Sequence, residues 1–159
     1  MKITIIKPDE FPKDAPSESV EQITFFNQLK KHYPDIAKVA LHVKNEGKRT
    51  MAQAAKDKAE GLVTGAPDIF IAGNPSLLIE LKKRSKRAKV GDNQIKFLES
   101  ASNLGAECYI CYGWESAWLA LQKWISGRKE PSNHSLGIIE KEHTMDGGMN
   151  LVIITKMKS

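Results

Sequence analysis

Apolar positions along the chain recur in two rhythms, one near 3.6 residues and one near 2, and together they divide it into elements. Val20, Ile23, Phe26 and Leu29 recur at helical spacing behind Ser17, a capping residue, and Glu18 in the first turn. This predicts a first helix over about 18–31, ended by Pro34. KVALHV at 38–43 predicts a strand; after the loop KNEGKRT, MAQAAKDKAEGL is helix-forming, with Gly61 as its stop. PDIFIAGNPSLLIELK then holds two apolar runs around Gly73-Asn74-Pro75-Ser76, the pattern of a β-hairpin. Asp92 and Asn93 offer caps for a helix that Gly105 ends. ECYICY predicts a strand and WESAWLALQKWI a last amphipathic helix.

The predicted order is therefore α-β-α-β-β-α-β-α, an α/β class with a central sheet between helices. Residues 1–16, rich in Pro, Asp and Lys, read as an arm or a short extra strand at Ile3 to Ile6. Beyond Gly127, SLGIIEKEH and NLVIIT flank Asp146-Gly147-Gly148, which predicts a terminal hairpin. The expected organisation is an arm over 1–16, one domain over 17–127 and an extension over 128–159. No internal repeat or low-complexity tract interrupts it.

Composition narrows the function. A chain of 159 residues, 41% hydrophobic, has the size of one compact catalytic domain. A net charge of +5 favours an anionic partner, because clustered Lys and Arg gain affinity by displacing counterions from phosphate backbones. No apolar run approaches the roughly 20 residues of a membrane span, and the N-terminus lacks a signal-peptide layout, so a soluble, cytoplasmic protein with no membrane partner is expected. Cys108 and Cys111 lie in an apolar stretch with no second Cys or His pair, which argues against zinc or a disulfide. His32, His42, His134 and His143 are scattered without ligand spacing and receive no catalytic role. Trp114 and Trp118 share an i, i+4 face and, with Trp124, read as core or interface.

Candidate chemistry concentrates in the hairpin. If it turns about Asn74, Asp68 faces Glu80, since opposed residues share a constant number sum, and cross-strand neighbours sit about 4.5–5.5 Å apart at Cβ. Glu80 and Lys82 are two apart, so they leave one face of the strand while Ile79 and Leu81 leave the other. Two carboxylates and an ammonium then converge, a set that suits a hard divalent ion such as Mg²⁺ with water and substrate phosphate completing its shell. A solvated edge strand would also carry such charges. Leu77 to Leu81 is nearly continuous apolar sequence, however, as in a strand buried on both faces, and charges there need a purpose. From Lys82 to Lys89 six of eight residues are basic, with Lys83, Arg84, Lys86, Arg87 and Lys89 following the proposed site directly. Lys44, Lys48 and Arg49 form a smaller group, with Asn45 and Glu46 in the same loop. The basic residues and Asn45 are the candidate contacts to a DNA backbone, while Asn45 and Glu46 could equally order that loop or form a plain turn.

The segment GAPDIFIAG…LLIELKKRSKRAKVGDNQIKFLESASNLGAECYICYG resembles the VRR-NUC family, a branch of the PD-(D/E)xK nuclease superfamily. The likeness spans about residues 17–125 and keeps the family's order: an acidic first helix with Gln, N-E-G-x-R, G-x-P-D, I-E-L-K, Q-x-x-F-L, then a strand and a helix. It implies a restriction-endonuclease-like α/β core with a mixed sheet, a divalent metal (Mg²⁺ or Mn²⁺) and hydrolysis of DNA phosphodiesters. Asp68, Glu80 and the Leu81 carbonyl would hold the metal, Lys82 would assist the nucleophilic water, and Gln94 would lie near the site. The family's first-helix acid would be Glu18 or Glu21; Glu18, four residues before Gln22 on one helical face, is preferred, although a charge there also favours the helix dipole. Short single-domain members, often phage-encoded, are homodimeric four-way-junction resolvases, which implies branched DNA as the partner. Two other readings remain at this point: a non-catalytic DNA-binding module on the same fold, and a sequence-specific restriction-type endonuclease.

Overall fold

The computed structural model describes residues 2–44, 49–128, 136–145 and 149–158. Its elements run β1 (Ile3–Ile6), α1 (Glu18–His32), α2 (Pro34–Ala37), β2 (Ala40–His42), α3 (Met51–Ala59), β3 (Ile69–Ile71), β4 (Leu77–Lys82), α4 (Asp92–Asn103), β5 (Glu107–Tyr112), α5 (Trp114–Gly127), β6 (Leu136–Met145) and β7 (Met149–Lys158). The first five strands form one mixed sheet in the order β1-β5-β4-β3-β2. β4 and β1 run parallel to β5, while β3 is antiparallel to both β4 and β2. β4 is the central strand, and all six of its residues are buried.

Strand alternation assigns the two faces of β4 to two cores. Leu77, Ile79 and Leu81 pack with Phe25 and Leu29 of α1 and with Ala117, Leu121 and Trp124 of α5. Leu78 looks the other way, into a smaller cluster with Leu98 of α4 and Cys108 and Ile110 of β5. Glu80 and Lys82 have the parity of Leu78, so they leave the sheet toward α4. The three tryptophans belong to the larger core: Trp118 makes ring contacts with Phe25, Tyr33 and Trp114, and buried Trp124 donates from Nε1 to the Pro75 carbonyl at 2.8 Å.

The element order predicted from the pattern is present, with four differences of detail. The N-terminal stretch Ile3–Ile6 is a true edge strand, in register with Cys108–Cys111 of β5. A short helix, α2, begins at Pro34, whose fixed φ suits a first helical turn, and it delays β2 to Ala40. α4 is entered from Gly91 and not through a cap by Asp92 or Asn93; the Gln94 side chain reaches back to accept the Gly91 N–H at 2.8 Å. On α1 the buried positions are Glu21, Phe25 and Leu29, leaving Val20 and Ile23 more than half exposed. An apolar stripe misjudged that face because a carboxylate occupies its first buried position.

The C-terminal stretch forms a unit of its own, an antiparallel pair in which Leu136 faces Lys158 and Met145 faces Met149. The expected turn, Asp146-Gly147-Gly148, lies outside the described residues.

Candidate active site

The site stands at the C-terminal end of β4, where a parallel strand delivers the chain toward the crossover helix and ligands of open α/β sheets characteristically bind. The β3–β4 register pairs Ile69 with Ile79, Phe70 with Leu78 and Ile71 with Leu77. The same constant sum sets Asp68, one residue before β3, across from Glu80. A backbone hydrogen bond holds it there: the Leu81 N–H donates to Asp68 Oδ2 at 2.8 Å. The Asp68 carbonyl is held as well, accepting from the Val43 N–H at 3.0 Å and from His42 Nδ1 at 2.9 Å. His42 thus steadies the backbone of the site, a contact that nothing in its sequence surroundings signals.

Glu80 is 1% exposed and Lys82 8%. Lys82 Nζ lies 2.9 Å from Glu80 Oε1, and Gln94 Nε2, from the first turn of α4, donates to the same oxygen. Gln94 therefore serves two ends at once, closing the first turn of its helix and orienting the carboxylate. Glu80 Oε2 is buried and has no partner, alone in this respect among the side-chain polar atoms of the described residues. Burial, reinforced by the Asp68 charge, pushes the Glu80 carboxyl up to about 8. Asp68 is raised as well, chiefly by burial, against the lowering effects of the Leu81 N–H and of Lys82. For Lys82, burial acts to lower its pKa, but the hydrogen bond and charge of Glu80, with Glu18 and Asp68 behind them, outweigh it and raise it.

Gly65, in the stretch Gly65-Ala66-Pro67-Asp68, has φ +84°, and a Cβ there would come within 2.8 Å of the Gln94 backbone nitrogen. A side chain would push away the helix start that carries Gln94. This gives a physical reason for glycine three residues before the aspartate.

The two acids of α1 separate sharply. Glu18 is exposed, accepts the Lys83 N–H at 3.2 Å, and its charge is felt by both Asp68 and Lys82. Glu21 is 1% exposed, accepting from Arg84 Nε at 2.9 Å and from the Trp114 N–H at 2.8 Å. Beside them the Gly113 N–H donates to the Lys82 carbonyl at 2.9 Å, and Gly113, at φ +89°, leaves the space that the Arg84 side chain fills. Glu21 thus ties the first helix, the chain leaving β4 and the start of α5 into one knot.

The other candidate substrate contacts and their loop neighbours fall into three groups. Lys83, Lys86, Arg87, Lys89 and Lys44 are exposed. Arg84 is drawn inward by Glu21, and Arg49 is paired with Asp57 at 3.1 Å. Asn45, Glu46 and Lys48 lie outside the described residues. Cys108 and Cys111 are buried and free, with both thiols pushed up by burial, which leaves them poor metal ligands. Among the described residues no helix is long and apolar enough to cross a membrane, and no three His, Cys, Asp or Glu side chains cluster as a metal cage.

No family model matches the sequence, and no curated protein matches it. Among solved structures, one described as a VRR_NUC domain protein aligns with a TM-score of 0.60 and 22% identity, over 71% of this chain and 91% of its own. The likeness establishes the architecture: the chain has the α/β fold of a VRR_NUC domain, the restriction-endonuclease-like mixed sheet that its motifs implied.

Proposed function

We propose that the protein is a metal-dependent DNA endonuclease with Asp68, Glu80 and Lys82 at its centre. The observation that carries this is Glu80 Oε2, an oxygen buried without a partner beside a second carboxylate. Burying a carboxylate is costly unless something compensates it, and a divalent cation supplies what the protein withholds. Asp68, Glu80 and the Leu81 carbonyl would hold Mg²⁺ or Mn²⁺, with Glu18 near by. Two carboxylates without a full protein cage suit Mg²⁺, which keeps several waters and takes oxygen from substrate phosphate. Such an ion lowers the pKa of its bound water and offsets charge growing on the phosphorus oxygens.

The side chains of this chain divide the remaining work. Gln94 holds Glu80 in one orientation. Lys82, cationic and anchored on Glu80, is poised to steady a phosphate oxygen or orient the attacking water. The exposed cations after Lys82 extend the positive surface along a strand. The neighbour's VRR_NUC description accords with a nuclease. The resemblance of this chain's motifs to junction-resolving members of that family supports a homodimeric enzyme acting on four-way junctions or other branched DNA.

The test incubates purified protein with four-way junctions, flaps, linear duplex and single strands, with and without Mg²⁺ or Mn²⁺. Metal-dependent cleavage, fastest on the junction, is expected. Protein that binds these DNAs and cuts none would overturn the enzymatic reading; equal cutting of all four would overturn junction selectivity alone.

A further inference from the structure

Beyond the last residue of β4 a cleft of about 670 Å³ opens between two segments that the proposed chemistry does not use together. One wall is the arm Pro12–Ala15, carrying Lys13; the other is the stretch Lys83–Ala88, carrying Lys83 and Arg87, and Glu18 lies at its edge. Both walls are built. Phe11 packs edge-on against Tyr112, with ring centroids 5.6 Å apart, and Tyr112 is the register partner of Lys82. The arm is thereby anchored beside the catalytic lysine. Opposite it, Ser85 folds the basic stretch into a turn, its Oγ accepting the Arg87 N–H at 3.2 Å and its carbonyl the Ala88 N–H at 3.1 Å. Arg84 forms part of the lining but is paired with Glu21, and Glu18 is the one acid of the lining. Among the described residues, the lining sets three cations without an ion-pair partner, Lys13, Lys83 and Arg87, against one carboxylate, Glu18.

We propose that this cleft binds an internal phosphodiester of a DNA strand next to the one being cut, gripped between Lys13 of the arm and Arg87 of the turn. The proposal rests on the endonuclease reading for the place of the scissile bond, but its chemistry is that of backbone recognition. The cations come from two separate segments facing one groove, which suits a chain of phosphates passing through. Lys83 directly follows Lys82, so the cleft begins at the residue after the catalytic lysine. The arm would then be part of the DNA-binding surface.

The experiment measures binding of a fluorescent duplex and a four-way junction to the full chain by anisotropy, in metal-free buffer so that no strand is cut, over a range of salt. Lys13→Ala and Arg87→Ala should each weaken binding and each lower the slope of log affinity against log salt by about one, as loss of one phosphate contact does. Lys30→Ala, at an exposed position on α1, should leave the slope where it was. An unchanged slope in both cleft variants would overturn the proposal, as would an equal fall in Lys30→Ala. A fall seen only with 5′-phosphorylated ends would assign the cleft to a terminal phosphate and overturn an internal one. Wild-type protein that binds but never cuts, with the slope still lowered by both variants, would sink the endonuclease reading and leave the cleft standing. Cutting with unchanged slopes would do the reverse.

Discussion

Two glutamates, each 1% exposed, sit on either side of the C-terminal end of β4, and their surroundings differ in one decisive respect. Glu21, on the α1 side, has both oxygens engaged, one by Arg84 and one by the Trp114 N–H. Glu80, on the α4 side, receives Lys82 and Gln94 on one oxygen, while the other has no donor and the Asp68 carboxyl beside it supplies only a second acid. A buried charge with complete partners belongs to the scaffold; one left incomplete beside a second carboxylate is, under the proposed function, the one that a cation would complete. The contrast separates structure from chemistry within a few residues of the same strand end. Neighbouring substitutions should therefore fail in opposite ways.

The largest effect is expected on the incomplete side. Asp68→Ala and Lys82→Ala should each reduce metal-dependent cleavage by a factor on the order of 10³, since such groups account for several kcal/mol of transition-state stabilisation and each 1.36 kcal/mol is tenfold. Asp68→Ala should leave the melting temperature near that of the wild type, because it removes a carboxylate whose charge opposes Glu80, whereas Lys82→Ala, which takes the cation from buried Glu80, should lower it. Rates on labelled DNA together with thermal denaturation decide it. If both variants cut at the wild-type rate, the site is elsewhere.

On the complete side the signature reverses. Glu21→Ala leaves Arg84 half-buried and unpaired and should cost about 3–5 kcal/mol of folding stability, read from urea denaturation. Replacing both partners by leucine should recover much of that loss, because a well-packed apolar pair commonly matches a buried ion pair. A Glu21→Ala protein as stable as the wild type would show that the knot is ornamental and would collapse the contrast.

Much of the incomplete side was legible in the sequence, and almost none of the complete side. Asp68, Glu80 and Lys82 could be placed together because strand parity and a constant register sum are geometric, and the observed pairing of Ile69 with Ile79 keeps that sum. The order of sheet and helices followed likewise from two periodicities and a few glycines. The Glu21 knot joins positions 63 and 93 residues apart. No local pattern encodes such a meeting, and a glutamate in the first turn of a helix looks like a solvated charge whichever way it points. The same limit explains why Val20 and Ile23 looked like the buried face of α1, and why His42 gave no sign of holding the Asp68 backbone. Nor did anything in the sequence show that Gly113 must leave room for Arg84.

The proton affinity of Glu80 sharpens the comparison further. Its carboxyl is raised from 4.5 to about 8 in the folded protein, so the native state holds a proton that the unfolded chain releases. The contribution of this group to stability is therefore fully present below about pH 4.5, declines as pH rises through the interval, and is lost once pH passes about 8. Asp68, also raised, acts in the same direction. Glu80→Gln should flatten that decline, leaving the variant more stable than the wild type at pH 8.5. Mg²⁺ competes with the proton for the same carboxylate, so it should raise the melting temperature of the wild type more at pH 8.5 than at pH 5.5 and do little for Glu80→Gln. A melting temperature indifferent to Mg²⁺ at both pH values would remove the reason for calling Oε2 a cation ligand.

The smallest effect is expected at Gln94, and it is the most discriminating because this residue belongs to both kinds of interaction. As the closer of the first turn of α4 it resembles the scaffold; as the donor to Glu80 it belongs to the site. Gln94→Ala removes both bonds and should cost about 1 kcal/mol of stability, the scale of a lost cap. Cleavage should fall about 10–100-fold, the scale of losing a group that orients a metal ligand. Gln94→Glu separates the roles: its carboxylate can still accept the Gly91 N–H and keep the helix start, but when ionised it offers Glu80 no donor and adds a like charge. Its stability should lie near the wild type while its cleavage lies below that of Gln94→Ala. Recovery of activity in Gln94→Glu would mean that the glutamine acts only through the helix start, and that Glu80 needs no orienting hand from α4.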